Sequence, residues 1–406
     1  MRIALFYDLP SGGAKRTLYE QVKRLAERHE IDLFSLNCAN HEFADIRPFA
    51  NRVVIEPFAP SSMFGSPLGR LNSGLRIRDI WRLRQVMGRL AGEMNRGEYD
   101  VALVHPCQLT FSPAVLRFLH LPSLYYRQDV VRWVQDPPIP RPYNRQGDWR
   151  NKLDGFDPLL AAYRKILTHE DYLNTLAATR VVTNSYFMRE SLYRVYGVSP
   201  AVCYHGVDTE RFHPLHLQRE NFVVSVGMLN PVKGFDFVIQ SLSRIAARSR
   251  PRLVLVSNSR SEDEARYLDD LATQHQVELE FKTMVDDQEL VRLYNQALCT
   301  VYAPVMESFG LVPLESMACE TPVVGIREGG VRETVVHKVT GLLADRDPEE
   351  FSEAVVTLVK DQELRERLGQ QAREFVLREW SWEQAIARLN RHLQEVVELK
   401  GVRSGQ

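Results

Sequence analysis

CTVYAPVMESFGLVPLESMACETPVVGIREGGVRE, from Cys299 to Glu333, decides how the chain is read. Val301 to Val305 is β-branched and apolar, as in a buried strand, and Met306 to Gly310 is a short loop. Pro313 then stands in the first turn of a helix, where its missing N–H costs nothing. Thr321 to Ile326 is the next strand, closed by Gly329 and Gly330. Glu307 lies on the loop and Glu315 about one turn inside the helix, so both can face one cleft beyond the strand's carboxyl end. Between them the N–H groups of Ser308, Phe309, Gly310 and Leu311 open the helix, and a helix N-terminus is a ready anion site. A ligand with a diol at one end, a pyrophosphate in the middle and a second polyol beyond it would use all of these groups. A nucleotide sugar is such a ligand.

The run Glu-Ser-Phe-Gly-Leu-Val-Pro-Leu-Glu (307–315), followed by Ser-Met-Ala-Cys-Glu-Thr-Pro-Val-Val, resembles the donor-site signature of the family-4 retaining glycosyltransferases of GT-B fold. The resemblance implies an α/β protein with two Rossmann-like domains facing each other across a cleft and a C-terminal helix crossing back to the first domain. It implies that Glu315 binds the ribose diol, and that Glu307, with the N–H groups of Phe309 and Gly310, orients the sugar. It further implies a nucleotide-sugar co-substrate with no other cofactor and no metal, retention of configuration, and attack on the front face with the leaving phosphate taking the acceptor's proton. The bland alternative is a surface carboxylate pair on an unrelated α/β protein.

With 406 residues the chain can hold two domains of ~100–200 residues. Its 44% apolar and 25% charged content is that of an ordinary globular protein. The formal net charge of −1 hides an asymmetry: residues 1–200 hold 27 Lys+Arg against 20 Asp+Glu, and the remainder 24 against 32. The 5 cysteines have no Cys-x-x-Cys spacing, which argues against a zinc site or a disulfide framework and fits a reducing cytoplasm. MRIALFYDLP reads as a first strand rather than a secretion signal, and no segment approaches the ~20 apolar residues that span a bilayer. No nucleic-acid partner is expected.

Arg2 to Tyr7 is the first strand, Gly12 and Gly13 lie in the loop after it, and an amphipathic helix runs from about Lys15 to Arg28. Strand, glycine loop and helix form a Rossmann-type phosphate arrangement, yet both Gly-x-Gly-x-x-Gly and the P-loop motif are missing, so a dinucleotide oxidoreductase or P-loop enzyme is not expected. By the resemblance, Gly12 and Gly13 approach the donor phosphates or sugar; a tight turn is the plain alternative. Short strands follow at Ile31 to Leu36, Val53 to Ile55, Val101 to Val104 and Ser123 to Tyr126.

The helix from about Leu75 to Asn95 carries an apolar seam of Ile80, Leu83, Met87, Leu90 and Met94, while residues 70–96 hold seven Arg against Asp79 and Glu93. Its basic face is either solvated or attracts an anionic membrane or acidic acceptor, each basic residue being worth ~1 kcal/mol there. At the end of the Tyr126 strand, Gln128 stands where the resembled family often carries His, flanked by Arg127 and Asp129. These residues, with His105 at the preceding strand end, are the candidates for the acceptor and sugar side. A glutamine can hydrogen-bond a hydroxyl but cannot titrate near neutrality. The proline- and aromatic-rich segment from Trp133 to Trp149 suits acceptor recognition or a plain surface loop.

His205-Gly-Val-Asp, followed by Phe212, resembles the family's crossing between domains, giving boundaries of 1–200 and 201–380, a crossover helix at 381–400 and a disordered tail at 401–406. FVVSVGMLNPVKGF opens the second domain, and Lys233 matches a lysine that grips the donor pyrophosphate in the family. Its companion arginine is replaced by Met228, which removes a charge-assisted bond of roughly 1.5–3 kcal/mol unless another cation substitutes. Thr283 occupies a place often held by Gly beside the base, so the nucleotide is unreadable. The reading is a hexosyltransferase using a UDP- or GDP-sugar on a glycan, lipid or small-molecule acceptor. A non-catalytic nucleotide-sugar-binding protein and a GT-B epimerase stay open as alternatives.

Overall fold

The computed structural model describes residues 1–65, 68–130, 139–145, 157–258 and 261–404. The first sheet contains β1 (Arg2–Asp8), β2 (Glu30–Leu36), β3 (Arg52–Glu56), β4 (Val101–Cys107), β5 (Ser123–Arg127), β6 (Arg180–Thr183) and β7 (Ala201–Val202), ordered β3-β2-β1-β4-β5-β6-β7 and all parallel. The helices that cover it are α1 (Gly13–Leu25), α2 (Asn72–Arg96), α3 (Pro158–Leu176) and α4 (Tyr186–Tyr196). Ile3 to Tyr7 are all 0% exposed, so β1 is a continuous apolar run buried on both faces, as parallel strands sandwiched by helices must be.

The second sheet repeats the same winding. Its strands β8 (Phe222–Val226), β9 (Arg252–Ser257), β10 (Leu279–Thr283), β11 (Cys299–Tyr302), β12 (Val323–Ile326) and β13 (Gly341–Ala344) run β10-β9-β8-β11-β12-β13, again all parallel. Around them lie α5 (Phe235–Ser243), α6 (Glu262–Gln274), α7 (Asp287–Gln296), α8 (Leu311–Ala318), α9 (Val331–Thr334), α10 (Pro348–Lys360) and α11 (Gln362–Glu379). In both sheets the strand order reverses beside the first strand, and an open α/β sheet binds its ligand at the carboxyl edge of that reversal. The protein is a GT-B fold.

Two segments cross between the domains side by side: Val207 N–H donates to the Trp380 carbonyl at 2.8 Å, and a Cβ on Gly206 would lie 2.7 Å from Trp382 Cα. The last helix, α12 (Trp382–Ser404), then buries Trp382, Ile386, Leu389, Leu393 and Val396 in the first domain's core with Ile3, Leu5 and Leu18. The domains are also clasped directly. Glu333 accepts the N–H groups of Tyr186 and Phe187 at 2.9 and 2.8 Å, capping α4 from the other domain, and buried Arg141 pairs with Glu264 and Asp236 at 3.0 and 2.8 Å.

The boundaries differ from expectation where proline intervenes. β11 stops at Tyr302, because Pro304 cannot donate to the ladder, and β12 begins only after Pro322. The last helix continues through Gly401 to Ser404, where a disordered tail was expected. In α2 the predicted seam is buried, while Arg82, Arg89 and Arg96 pair with Asp79, Glu56 and Glu93, so part of the basic face is neutralised. Most of the segment from Trp133 to Trp149 lies outside the described residues.

Candidate active site

A cleft of about 410 Å³ lies between the carboxyl edges of the two sheets. Gly12, Gly13 and Arg16 line it from the loop and helix after β1, and Met228 and Lys233 from the loop after β8. Ser257, Met284 and Asp287 line it after β9 and β10, and Leu311 and Glu315 from α8. The local backbone explains these positions. Gly234 holds φ +66 and a Cβ there would meet the Ala303 carbonyl oxygen at 2.1 Å, so only glycine lets the Lys233 loop pack onto the end of β11. Gly13 comes within contact of the opposite domain, its Cβ position being 3.8 Å from Leu311 Cδ1.

Glu307 sits behind the cleft wall and joins it through Lys233, whose Nζ donates to Glu307 Oε2 at 2.6 Å; the Tyr302 hydroxyl donates to the same oxygen at 3.0 Å. The loop carrying Glu307 is pinned by the glycine turn: Gly330 N–H donates to the Glu307 carbonyl at 2.7 Å, and a Cβ on Gly330 would come 2.6 Å from Phe309 Cα. Gly310, at φ +100, turns the chain into α8, whose first N–H groups have no partner inside the helix. The Ser308 carbonyl accepts the Ser185 hydroxyl of the other domain, and the Phe309 ring is buried against His205, Tyr204 and Trp380. The Phe309 side chain is therefore taken up by the interdomain packing and is not a cleft group. Glu315, 8% exposed, accepts the Tyr294 hydroxyl at 3.0 Å; burial raises its pKa, against the pull of Arg16 and the Tyr294 hydrogen bond.

Two family sequence models tile the chain, one described as Glycosyltransferase Family 4 over residues 11–211 and one as Glycosyl transferases group 1 over residues 207–375. The chain belongs to the group 1, family 4 glycosyltransferases. An uncharacterized glycosyltransferase of Methanocaldococcus jannaschii is 28% identical over 233 residues, 52% of this chain and 59% of that protein. A D-inositol 3-phosphate glycosyltransferase of Thermobifida fusca is 26% identical over 390 residues, covering 88% of this chain and 83% of its own. Several other curated relatives are matched over only about half of their length or less. Among solved structures, Anabaena HepE in complex with UDP and glucose superposes with a TM-score of 0.71 at 18% identity, over 97% of this chain and 100% of that one, a likeness of fold.

In this family-4 glycosyltransferase the first-domain candidates divide. His105 is fully buried, stacked on Tyr126 at 5.6 Å with an interplanar angle of 8°, and burial drives its pKa down to about 3. His205 also stacks against Tyr126, with its Nδ1 3.0 Å from the Tyr126 hydroxyl, and is likewise lowered to about 3, so both imidazoles are neutral. Both ring nitrogens of His105, Gln128 Nε2 and Asn184 Oδ1 are buried with no partner among the described residues, a set of polar atoms at the ends of β4, β5 and β6. Arg127 does not belong with them. It is 1% exposed and forks onto Asp171 at 2.9 and 3.0 Å, with Tyr196, Ser112 and Thr175 completing its shell, so it is an internal strut.

The cleft also holds residues that the sequence reading passed over. Arg16 lines it from the opposite domain and donates to Asp287 at 3.1 Å; Asp287 in turn pairs with Arg211 at 3.2 Å. The signal for Arg16 was the loss of a cation at Met228, which is 46% exposed in the cleft and supplies no charge. A left-handed residue near the expected base site falls at Met284, φ 57, one position after Thr283.

Proposed function

We propose that the chain transfers a hexose from a UDP- or GDP-linked donor to a glycan, lipid or small-molecule acceptor, with retention and without a metal ion. The observation that carries this is the placement of Lys233, Glu315 and the N-terminus of α8 around one cleft at the strand reversal of the second sheet. Glu315 accepts the ribose hydroxyls. Lys233, the Leu311 N–H and Arg16 face the pyrophosphate and stabilise the charge that grows on it as the glycosidic C–O bond breaks. Glu307 keeps its negative charge near the sugar, where positive charge develops on the ring. The acceptor oxygen attacks from the face the phosphate leaves, and the departing phosphate oxygen takes the acceptor's proton. Neutral His105 and the Gln128 amide serve as hydrogen-bonding groups for sugar hydroxyls, with no proton-transfer role. That HepE, of like fold, binds UDP supports the choice of nucleotide.

The same reading places the free part of α2's basic face against an anionic surface or acceptor, which sedimentation with anionic and neutral vesicles checks: equal sedimentation removes this contact. The donor assignment is tested by thermal unfolding with UDP-, GDP- and ADP-sugars in the presence of a chelator. A ligand at 100 times its dissociation constant stabilises by ~2.7 kcal/mol. One nucleotide should shift wild type and fail to shift Glu315→Ala and Lys233→Ala; no shift with any donor sinks the proposal. Product anomers read by NMR test retention, and a covalent glycosyl-enzyme trapped at Glu307 would overturn front-face attack.

A further inference from the structure

A second cavity, of about 320 Å³, sits in the first domain and shares no lining residue with the donor cleft. It is enclosed by α2, α3, the segment after β3 and the turn after β4, and its walls are mainly apolar: Phe58, Met63, Ile80, Leu83, Leu109 and the Tyr163 ring. The polar side chains that reach it are mostly occupied. Asp79 accepts the Ser61 N–H and hydroxyl at 2.7 and 2.6 Å and Arg82 at 3.0 Å. Gln108 donates to Asp8 at 2.9 Å, and the Thr110 hydroxyl to the Ser112 carbonyl at 3.1 Å. Arg76 differs: its guanidinium lies over the Tyr163 ring at 5.6 Å and also hydrogen-bonds that side chain, but it has no carboxylate partner among the described residues.

The surface beside the cavity is also unusual. Met63, Phe64, Leu68, Leu71 and Trp81 are each 44–53% exposed, on the same stretch that carries Arg70 and Arg78. Exposed apolar side chains interspersed with cations fit an anionic amphiphile better than water or a sugar, since most of the polar side chains a sugar would need here are already bonded. The cavity also touches the reaction side of the domain. Leu109 and Gln108 follow directly on the carboxyl end of β4, and Gln108 is tied to Asp8 at the end of β1, next to the Gly12–Gly13 loop.

We propose that this cavity holds the apolar chain of a phosphate-bearing amphiphile, with Arg76 pairing the phosphate, and that the acceptor is of this lipid-linked class. The acceptor assignment rests on the transferase reading; the binding site does not. Calorimetric titration with decyl phosphate below its micellar concentration, decanol and inorganic phosphate tests it, alongside a UDP titration of each variant. Decyl phosphate should bind, decanol more weakly, and inorganic phosphate not detectably. Arg76→Gln should weaken decyl phosphate about tenfold, toward the affinity of decanol, as expected for loss of a charge-assisted contact. Ile80→Trp, which narrows the cavity from its α2 wall, should weaken both chain-bearing probes at least tenfold, and Met63→Glu at the exposed rim does the same job should the core variant fail to fold. UDP binding should be unchanged in all three variants. Inorganic phosphate binding as well as decyl phosphate, equal binding of decanol and decyl phosphate, or indifference to the variants would each overturn the site. Amphiphile binding without any nucleotide binding would instead remove the transferase reading and leave the site standing.

Discussion

Lys233 and Glu307 form a contact of 2.6 Å, Nζ to Oε2, with side chains only 19% and 13% exposed. On the proposed reading the lysine that faces the donor phosphates is therefore also the cationic partner of Glu307. Removing it should cost donor affinity by one charge-assisted bond, about 1.5–3 kcal/mol or roughly ten- to 150-fold. Glu307→Gln should act differently. It frees Lys233 for phosphate, so UDP affinity is kept or improved, while turnover falls by about 10²–10³ through loss of transition-state charge stabilisation. Titration with UDP beside single-turnover kinetics separates the two. Equal losses of UDP affinity in both variants would refute this division of labour.

Arg16 and Met228 line the same cleft, and if Arg16 stands in for the cation missing at Met228, Arg16→Ala should weaken UDP binding by about tenfold or more, with a steeper loss at low salt. Met228→Arg should recover a good part of that loss in the double variant, because its position lines the same cleft. If Arg16→Ala binds UDP like wild type, Arg16 is only an interdomain tie to Asp287.

These residues also show how far the sequence could be read. The geometry around Glu307 and Glu315 was legible because it is local: the two lie on one loop and the helix that follows it, and Gly310 and Gly330, which shape that loop, fall within the same stretch from Cys299 to Glu333. The apolar strands and the α2 seam were legible for a similar reason, since buried parallel strands and a helix face have fixed periods. Arg16, the Glu333 cap on α4 and the Arg141–Glu264 clasp were not legible, because each depends on how one domain lies against the other. Arg127 misled for the opposite reason. A charged residue at a strand end reads as a site residue, and only the fold reveals Asp171, 44 positions on, waiting behind it.

Glu315 should give the ligand-free protein a distinctive pH response. Its pKa is raised by burial above the ordinary 4.5, so between the unfolded and folded values the native state binds the extra proton, and stability falls as pH rises through that window. Glu315→Gln lacks this penalty. Without nucleotide it should unfold at a higher temperature than wild type at neutral pH, the advantage disappearing below pH ~4. With UDP the order should reverse, since the amide loses an acceptor for the ribose diol. Calorimetry at the two pH values, with and without UDP, reads both effects.

Arg127 is expected to govern folding rather than sugar recognition. It and Asp171 are 1% and 0% exposed, and removing one partner of such a pair leaves a buried charge uncompensated, at about 3–5 kcal/mol. Arg127→Leu should lower urea stability by that amount while leaving UDP affinity intact in the folded fraction. The paired change Arg127→Leu with Asp171→Leu should cost less than the single one. A stable Arg127→Leu with impaired acceptor use would return Arg127 to the active site.

Lys15 offers the clearest alkaline signature. It is 0% exposed, its Nζ lies 3.7 Å from the centroid of the Tyr7 ring with no hydrogen-bond partner among the described residues, and burial lowers its pKa from 10.5 to about 8. Nearby Asp45 pulls the other way without cancelling the effect. Between pH 8 and 10.5 the unfolded chain therefore binds a proton that the folded chain has lost, and stability from this group rises with pH across that interval. Lys15→Met should remove the slope and, at pH 7, gain about 1–3 kcal/mol by eliminating an unsatisfied buried ammonium. Urea unfolding of both proteins at pH 7, 8 and 9.5 decides the matter. A variant less stable than wild type at pH 7 would mean that the cation's attraction to the Tyr7 ring, about 2 kcal/mol when desolvated, outweighs its burial.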